Sequence, residues 1–105
     1  MKILAVTACP SGVAHTYMAA EALERAAKAK GIEIKVETQG QIGIENRITE
    51  EDLKGADIVI LTKDMSIKEV ERFNGIITVK VGISDVVKKA DQLIDKVVAH
   101  LNSLK

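Results

Sequence analysis

Four short apolar stretches alternate with helical periodicities along this chain. Residues 3–7 open it, with Ile3, Leu4, Ala5 and Val6 in unbroken succession, the pattern of a strand covered on both faces. From 13 to 30 the period lengthens. Ala19, Leu23 and Ala26 fall on one side of a helix, with Ala20 and Ala27 beside them. Glu21–Arg25 and Glu24–Lys28 stand four residues apart on its wet side, and Gly31 follows as a C-terminal cap. Ile32, Ile34, Val36 and Thr38 then alternate with Glu33, Lys35 and Glu37, which reads as a half-exposed edge strand. Residues 39–47 carry no clear period, and Gly40 and Gly43 mark a shaped loop. Thr49 and Asp52 have capping-box spacing and predict a short helix over 50–54.

Residues 58–61 form the third apolar run. Ser66 and Glu69 repeat the capping spacing and predict another short helix that ends near Arg72, with Phe73 as its core anchor. A fourth strand is expected over 76–81. Ser84 is expected to cap a last helix whose stripe is Val86, Ala90, Leu93, Val97, Leu101 and Leu104. The order βαβαβαβα predicts an α/β fold: three layers, α/β/α, around a four-stranded parallel sheet of order 2-1-3-4. Ligands in such folds sit beyond the carboxyl ends of the strands, where the winding reverses. Here that point falls between the first and third strands. Cys9 stands at one lip and Asp64 at the other, with the loop at 40–43 as a third wall.

Composition narrows the function classes. The 105 residues suit one domain, 1–105. Fifteen basic and fifteen acidic residues balance to zero net charge, and only 2% of the chain is aromatic, so neither a phosphate-binding stripe nor a base-stacking platform for nucleic acid is present. The longest apolar runs fall far short of a membrane span, and the strand pattern begins at once, so no secretory leader is expected. One cysteine excludes an internal disulfide and a CxxC metal site, and a lone thiol suits a reducing cytoplasm. No metal and no cofactor are called for.

The candidate chemistry lies at Cys9-Pro10-Ser11-Gly12-Val13-Ala14-His15-Thr16, the turn from the first strand into the first helix. Backbone N–H groups converge at a helix N-terminus and the dipole presents partial positive charge, so the turn suits a phosphate or another anion. The same field favours a thiolate and makes the thiol a nucleophile. Gly12 lets the backbone approach an anion, and Ser11 can cap the helix or donate to an oxyanion. Cys9 also fits a small buried apolar residue at a strand end. His15 occupies the position where cysteine phosphatases, with their Cys-x5-Arg pattern, place an arginine fork, and it offers one hydrogen bond in place of two. Thr16 fits helix packing or a site hydroxyl. Asp64 fits a helix or turn cap as well as an acid at the switch point. Glu37, Gln39 and Asn46 read as solvated or turn-forming residues, with Gln39 and Gly40 as outer neighbours of the site.

The stretch from Cys9 to Thr16, with Met18-Ala19-Ala20-Glu21, resembles the active-site signature of the fructose-type enzyme IIB domains of the bacterial sugar phosphotransferase system (PTS). Val36-Glu37-Thr38-Gln39-Gly40 with Gly43 and Asn46, then Ala56-Asp57-Ile58-Val59-Ile60 with Asp64, and Arg72-Phe73-Asn74-Gly75 are similar to further blocks of that family. Ser11 stands where the family usually has threonine and keeps a hydroxyl; the tail after Gly82 departs from the pattern. The resemblance implies a phosphotransferase without a cofactor. Cys9 would accept a phosphoryl group from a phosphohistidine of enzyme IIA, and residues 10–16 would hold it. Phospho-Cys9 would then pass it to a fructose-like sugar at the membrane permease, enzyme IIC. The implied location is cytoplasmic, docked on the permease, as a subunit encoded apart from IIA and IIC. Two other readings stand beside it: a non-enzymatic phospho-switch that controls a regulator, and a small cysteine phosphatase or arsenate reductase. The latter needs the missing arginine and a general acid.

Overall fold

The computed structural model describes residues 1–9, 13–40 and 43–104. The elements are β1 (Lys2–Ala8), α1 (Val13–Ala29), β2 (Glu33–Gly40), β3 (Gly43–Glu45), α2 (Glu50–Leu53), β4 (Ile58–Thr62), a 3-10 turn (Val70–Phe73), β5 (Thr78–Val81) and α3 (Ile83–Ser103). They build an α/β fold on one sheet of order β3-β2-β1-β4-β5. Strands β2, β1, β4 and β5 run parallel, and β3 is antiparallel to β2. The expected four-stranded, all-parallel sheet is therefore corrected to a five-stranded mixed one. The aperiodic stretch after Gln39 folds back as a hairpin that pairs Gly40 with Gly43. A strand of three residues is too short to show a period. Its presence also makes β2 an interior strand, not the expected edge. Asn46, at φ 53, turns the chain away, and its side-chain amide donates to the Val36 carbonyl at 2.8 Å.

The two faces of the sheet are unequally covered. Alternate residues of β1 and β4, Ile3, Ala5, Ile58 and Ile60, meet α1 and α3 through Ala19, Leu23, Ala26, Val86, Ile94 and Val97. The small alanines of α1 let that helix lie close to the strands. Helix α1 ends in a Schellman motif: the Ile32 N–H bonds the Ala27 carbonyl and the Gly31 N–H bonds that of Lys28, with Gly31 at φ 68. The opposite residues, Leu4, Val6, Val59 and Leu61, pack against Ile48 and Phe73. Among the described residues, only α2, the 3-10 turn and their loops cover this second face. Helix α2 carries the expected capping box between Thr49 and Asp52.

Two expected helix starts are corrected. Helix α3 begins at Ile83, one residue before Ser84, with Gly82 in the capping position. Its cap comes from elsewhere in the chain: the Asp64 carboxylate accepts from the Ile83 N–H at 2.7 Å. The helix expected from Ser66 to Arg72 reduces to the 3-10 turn, preceded by Glu69 at φ 60. The Gln39 amide engages both the N–H and the carbonyl of Lys68, groups that a helix capped by Ser66 would need for itself.

A buried polar cluster ties the thin face to the sheet. Glu37, expected to be solvated, is 0% exposed. Its carboxylate accepts from both terminal nitrogens of Arg72, at 2.8 and 2.5 Å, from the Ile48 N–H at 2.9 Å and from the Gln39 amide at 2.8 Å. Burial alone would push this carboxyl up, but Arg72, Gln39 and Ile48 outweigh it and hold the group below its ordinary value. Nearby, Asp52 bonds Lys35 at 2.6 Å and is lowered from 3.8 to about 2, by Lys35 first and the Thr49 N–H second.

Two expectations follow. Arg72→Met leaves an uncompensated carboxylate in the interior and should cost about 3–5 kcal/mol in urea denaturation; a loss under about 1 kcal/mol would contradict the pairing. Glu37 and Asp52 are both lowered in the fold, so the stability they lend is present above their unfolded values and is lost as pH falls. The midpoint of unfolding should therefore drop between about pH 4 and about pH 2, and Asp52→Asn should flatten the lower part of that slope. An unchanged acid profile in Asp52→Asn would show that the Lys35 contact contributes nothing.

Candidate functional site

Cys9 is the residue that follows Ala8, the last of β1. It is partly buried and packs against the cluster beneath α1 and α3. Two threonines fix the strand end that carries it. The Thr62 hydroxyl, at the end of β4, accepts from the Ala8 N–H at 3.0 Å and donates to the Ala8 carbonyl at 3.1 Å. The Thr7 hydroxyl donates to the Thr16 carbonyl at 3.1 Å, which joins β1 to the first turns of α1. Both threonines are buried. In the sequence Thr7 closes the run at 3–7 and Thr62 follows the run at 58–61, and neither was expected to serve the site. The available signal was a polar residue closing each of two adjacent apolar runs.

Of the residues expected to hold an anion, Pro10, Ser11 and Gly12 lie outside the described residues. Val13 and Ala14 are the first two residues of α1, so a 17-residue helix begins four positions after the thiol. Its N-terminal dipole end therefore lies on the chain segment that leaves Cys9. His15 is exposed in the first turn. Thr16 is 1% exposed, and its hydroxyl oxygen is one of two buried side-chain atoms without a hydrogen-bond partner among the described residues. On the next residue, the Tyr17 phenol donates to Glu45 at 2.7 Å and ties α1 to β3. That bond, with smaller contributions from burial and the Glu45 charge, raises the phenol above its ordinary value of 10.0.

The remaining candidates have positions of their own. Asp64 is committed to the start of α3 through Ile83, which makes it a cap. Gln39 is buried at the end of β2, in register with Ala8, and Gly40 closes the strand beside β3. Asn46 is a turn former. Two sequence blocks far apart in the chain meet at the Glu37–Arg72 pair. Among the described residues no cluster of histidine, cysteine, aspartate and glutamate is arranged to hold a metal ion. The arrangement offers one thiol at the strand-to-helix junction, the N-terminus of a long helix and an exposed imidazole in its first turn. That is equipment to attract an anion and attack it once.

A family profile described as "PTS system, Lactose/Cellobiose specific IIB subunit" matches residues 4–96. The "PTS system fructose-like EIIB component 2" of Escherichia coli (strain K12) is 69% identical over 100 residues, covering 95% of this chain and 94% of that protein. The "PTS system fructose-specific EIIABC component" of Bacillus subtilis (strain 168) is 45% identical over 95 residues, 90% of this chain but 15% of that longer protein. The solution structure of an enzyme IIB subunit of the PTS from Escherichia coli K12 superposes with a TM-score of 0.90 at 40% identity, covering 97% of this chain and 94% of that one. The strand–thiol–helix junction, the sheet around it and these four likenesses agree, and the chain belongs to the enzyme IIB family of the phosphotransferase system, on the side of its fructose-like members.

Proposed function

We propose that this chain is a phosphocarrier of sugar uptake in which Cys9 takes a phosphoryl group from a phosphohistidine of enzyme IIA and delivers it to a sugar at the permease, enzyme IIC. The observation that carries the reading is the position of the chain's single cysteine, at the junction of β1 with the N-terminus of α1. Relatives in which a matching segment is one part of an EIIABC or EIIB'BC protein support the partnership. The reading places the chain on the cytoplasmic side of the permease; among the described residues no helix is long and apolar enough to cross a membrane.

In the first step the Cys9 thiolate attacks phosphorus. The S–P bond forms, the P–N bond to the donor imidazole breaks, and its electron pair returns to that ring. In the second step a sugar hydroxyl attacks the phosphocysteine. The O–P bond forms, the thiolate leaves with the S–P electron pair, and the hydroxyl proton goes to a base at the acceptor site. Phosphoryl transfer asks for alignment and charge stabilisation more than for covalent help. The dipole end of α1 and the first-turn N–H groups supply positive potential, with His15 as a further donor. Thr7 and Thr62 hold the strand end still while donor and acceptor approach in turn.

Cys9→Ser should abolish transfer, because an alcohol is not ionised near neutral pH; residual relay from phosphorylated enzyme IIA to sugar would refute the assignment. A second outcome separates a carrier from a phosphatase. The position of the phosphatase arginine is His15. The phosphorylated chain, freed of donor, should persist in buffer and discharge only when permease and sugar are supplied. Rapid loss of label in buffer, with aryl phosphate hydrolysis dependent on Cys9, would make it a hydrolase instead.

A further inference from the structure

Strand β5 closes the sheet, and among the described residues no strand pairs with its outer side. The Ile77 and Val81 carbonyls accept from the Val59 and Lys63 N–H groups, on the β4 side. Backbone direction alternates along a strand, so the N–H and carbonyl groups of Thr78 and Lys80 point away from the sheet. Both residues are exposed. Such a row of donors and acceptors, lying in the plane of the sheet, is a template for one more strand.

The intervening side chains, Val79 and Val81, turn to the α3 face and pack at the margin of its core. A groove lies between them and α3. Its floor is apolar, built from Val79 and Val81 of β5 and from Leu93 and Val97 of α3. Its rim is charged. Asp85, Lys89, Lys96 and His100 recur at helical spacing along one side of α3 and border the groove. Among the described residues neither Lys89 nor Lys96 has an ion-pair partner. Asp95, next to Lys96 in sequence, is engaged elsewhere, with Lys30 at 2.9 Å.

These features select an occupant. The open edge asks for extended backbone, the floor for apolar side chains and the rim for carboxylates. A second copy of this chain meets the first two demands and fails the third. Two β5 edges joined about a two-fold axis would put both α3 helices on one face of the joined sheet, with the lysines of both rims against a single Asp85 from each. We propose that the β5 edge and the α3 groove are a docking site for an extended acidic segment of a partner protein, which adds a strand to β5 and lays its carboxylates along Lys89 and Lys96. The groove shares no residue with the Cys9 junction, from which β4 separates β5 in the sheet.

The test titrates a short labelled peptide of alternating glutamate and valine into the full chain at low salt, followed by fluorescence anisotropy and amide hydrogen exchange. Saturating peptide should slow exchange of the Thr78 and Lys80 amides about tenfold, the size expected for a gained hydrogen bond. Joint Lys89→Glu and Lys96→Glu substitution should weaken binding about tenfold, since two exposed contacts turn from attraction to repulsion. Both side chains are exposed, so the urea midpoint of that variant should match wild type. The same peptide with methylated backbone nitrogens cannot pair and should not bind, and neither should a lysine–valine peptide. Absence of binding by the glutamate–valine peptide overturns the proposal and leaves the lysines as guards of an open edge. Equal binding of the methylated peptide overturns strand addition, and equal binding by the charge-reversed variant overturns the acidic occupant. Dimerisation of the chain alone that protects the same two amides would assign the edge to a second copy and overturn it as well.

Discussion

A carboxylate with no access to water organises the weaker half of this molecule. Glu37 projects from the middle of the sheet into the face that lacks long helices, and it accepts hydrogen bonds from four groups: two nitrogens of Arg72, the Ile48 N–H and the Gln39 amide. An isolated buried carboxylate is expensive, and four donors offset that cost only when every one is in place. The requirement draws three separate parts of the chain, near 39, 48 and 72, onto one point. Helices α1 and α3 need no such device, because apolar stripes hold them to the other face.

The site depends on that asymmetry. The α1 face is rigid through packing and presents a helix N-terminus on the segment leaving Cys9. The opposite face is built from loops, which can be shaped to a partner but need polar anchors to keep that shape. The Thr62 hydroxyl ties the end of β1 to β4, the Thr7 hydroxyl ties β1 to α1, and the Gln39 amide, itself bonded to Glu37, holds the Lys68 backbone. The carrier role proposed for this chain needs both properties: a nucleophile that stays in register and an open approach to it.

The strongly patterned elements were legible in the sequence for physical reasons. The apolar run of β1, the alanine side of α1, the Gly31 cap and the Thr49–Asp52 box each follow from local rules, and each is present. Strand β3 escaped notice because three residues cannot display a period. Its absence from the expected layout made β2 look like an edge strand with a wet face. Lys35 and Glu37 then read as solvated, whereas their partners, Asp52 and Arg72, come from 17 and 35 residues away. The same long-range bonding displaced the helix expected at Ser66 and gave α3 the cap expected from Ser84. At the site, the thiol and the helix start were visible as local chemistry, while Thr7 and Thr62 act only through pairing between elements.

The central claim is that the phosphoryl group resides on sulfur. Phosphorus NMR of the intact chain, after incubation with phosphorylated enzyme IIA and removal of the donor, tests it most directly. The account predicts one protein-bound resonance in the S-phosphoryl range, absent from the Cys9→Ser chain. A resonance in the phosphoramidate range, with the label on His15 or His100, would contradict it.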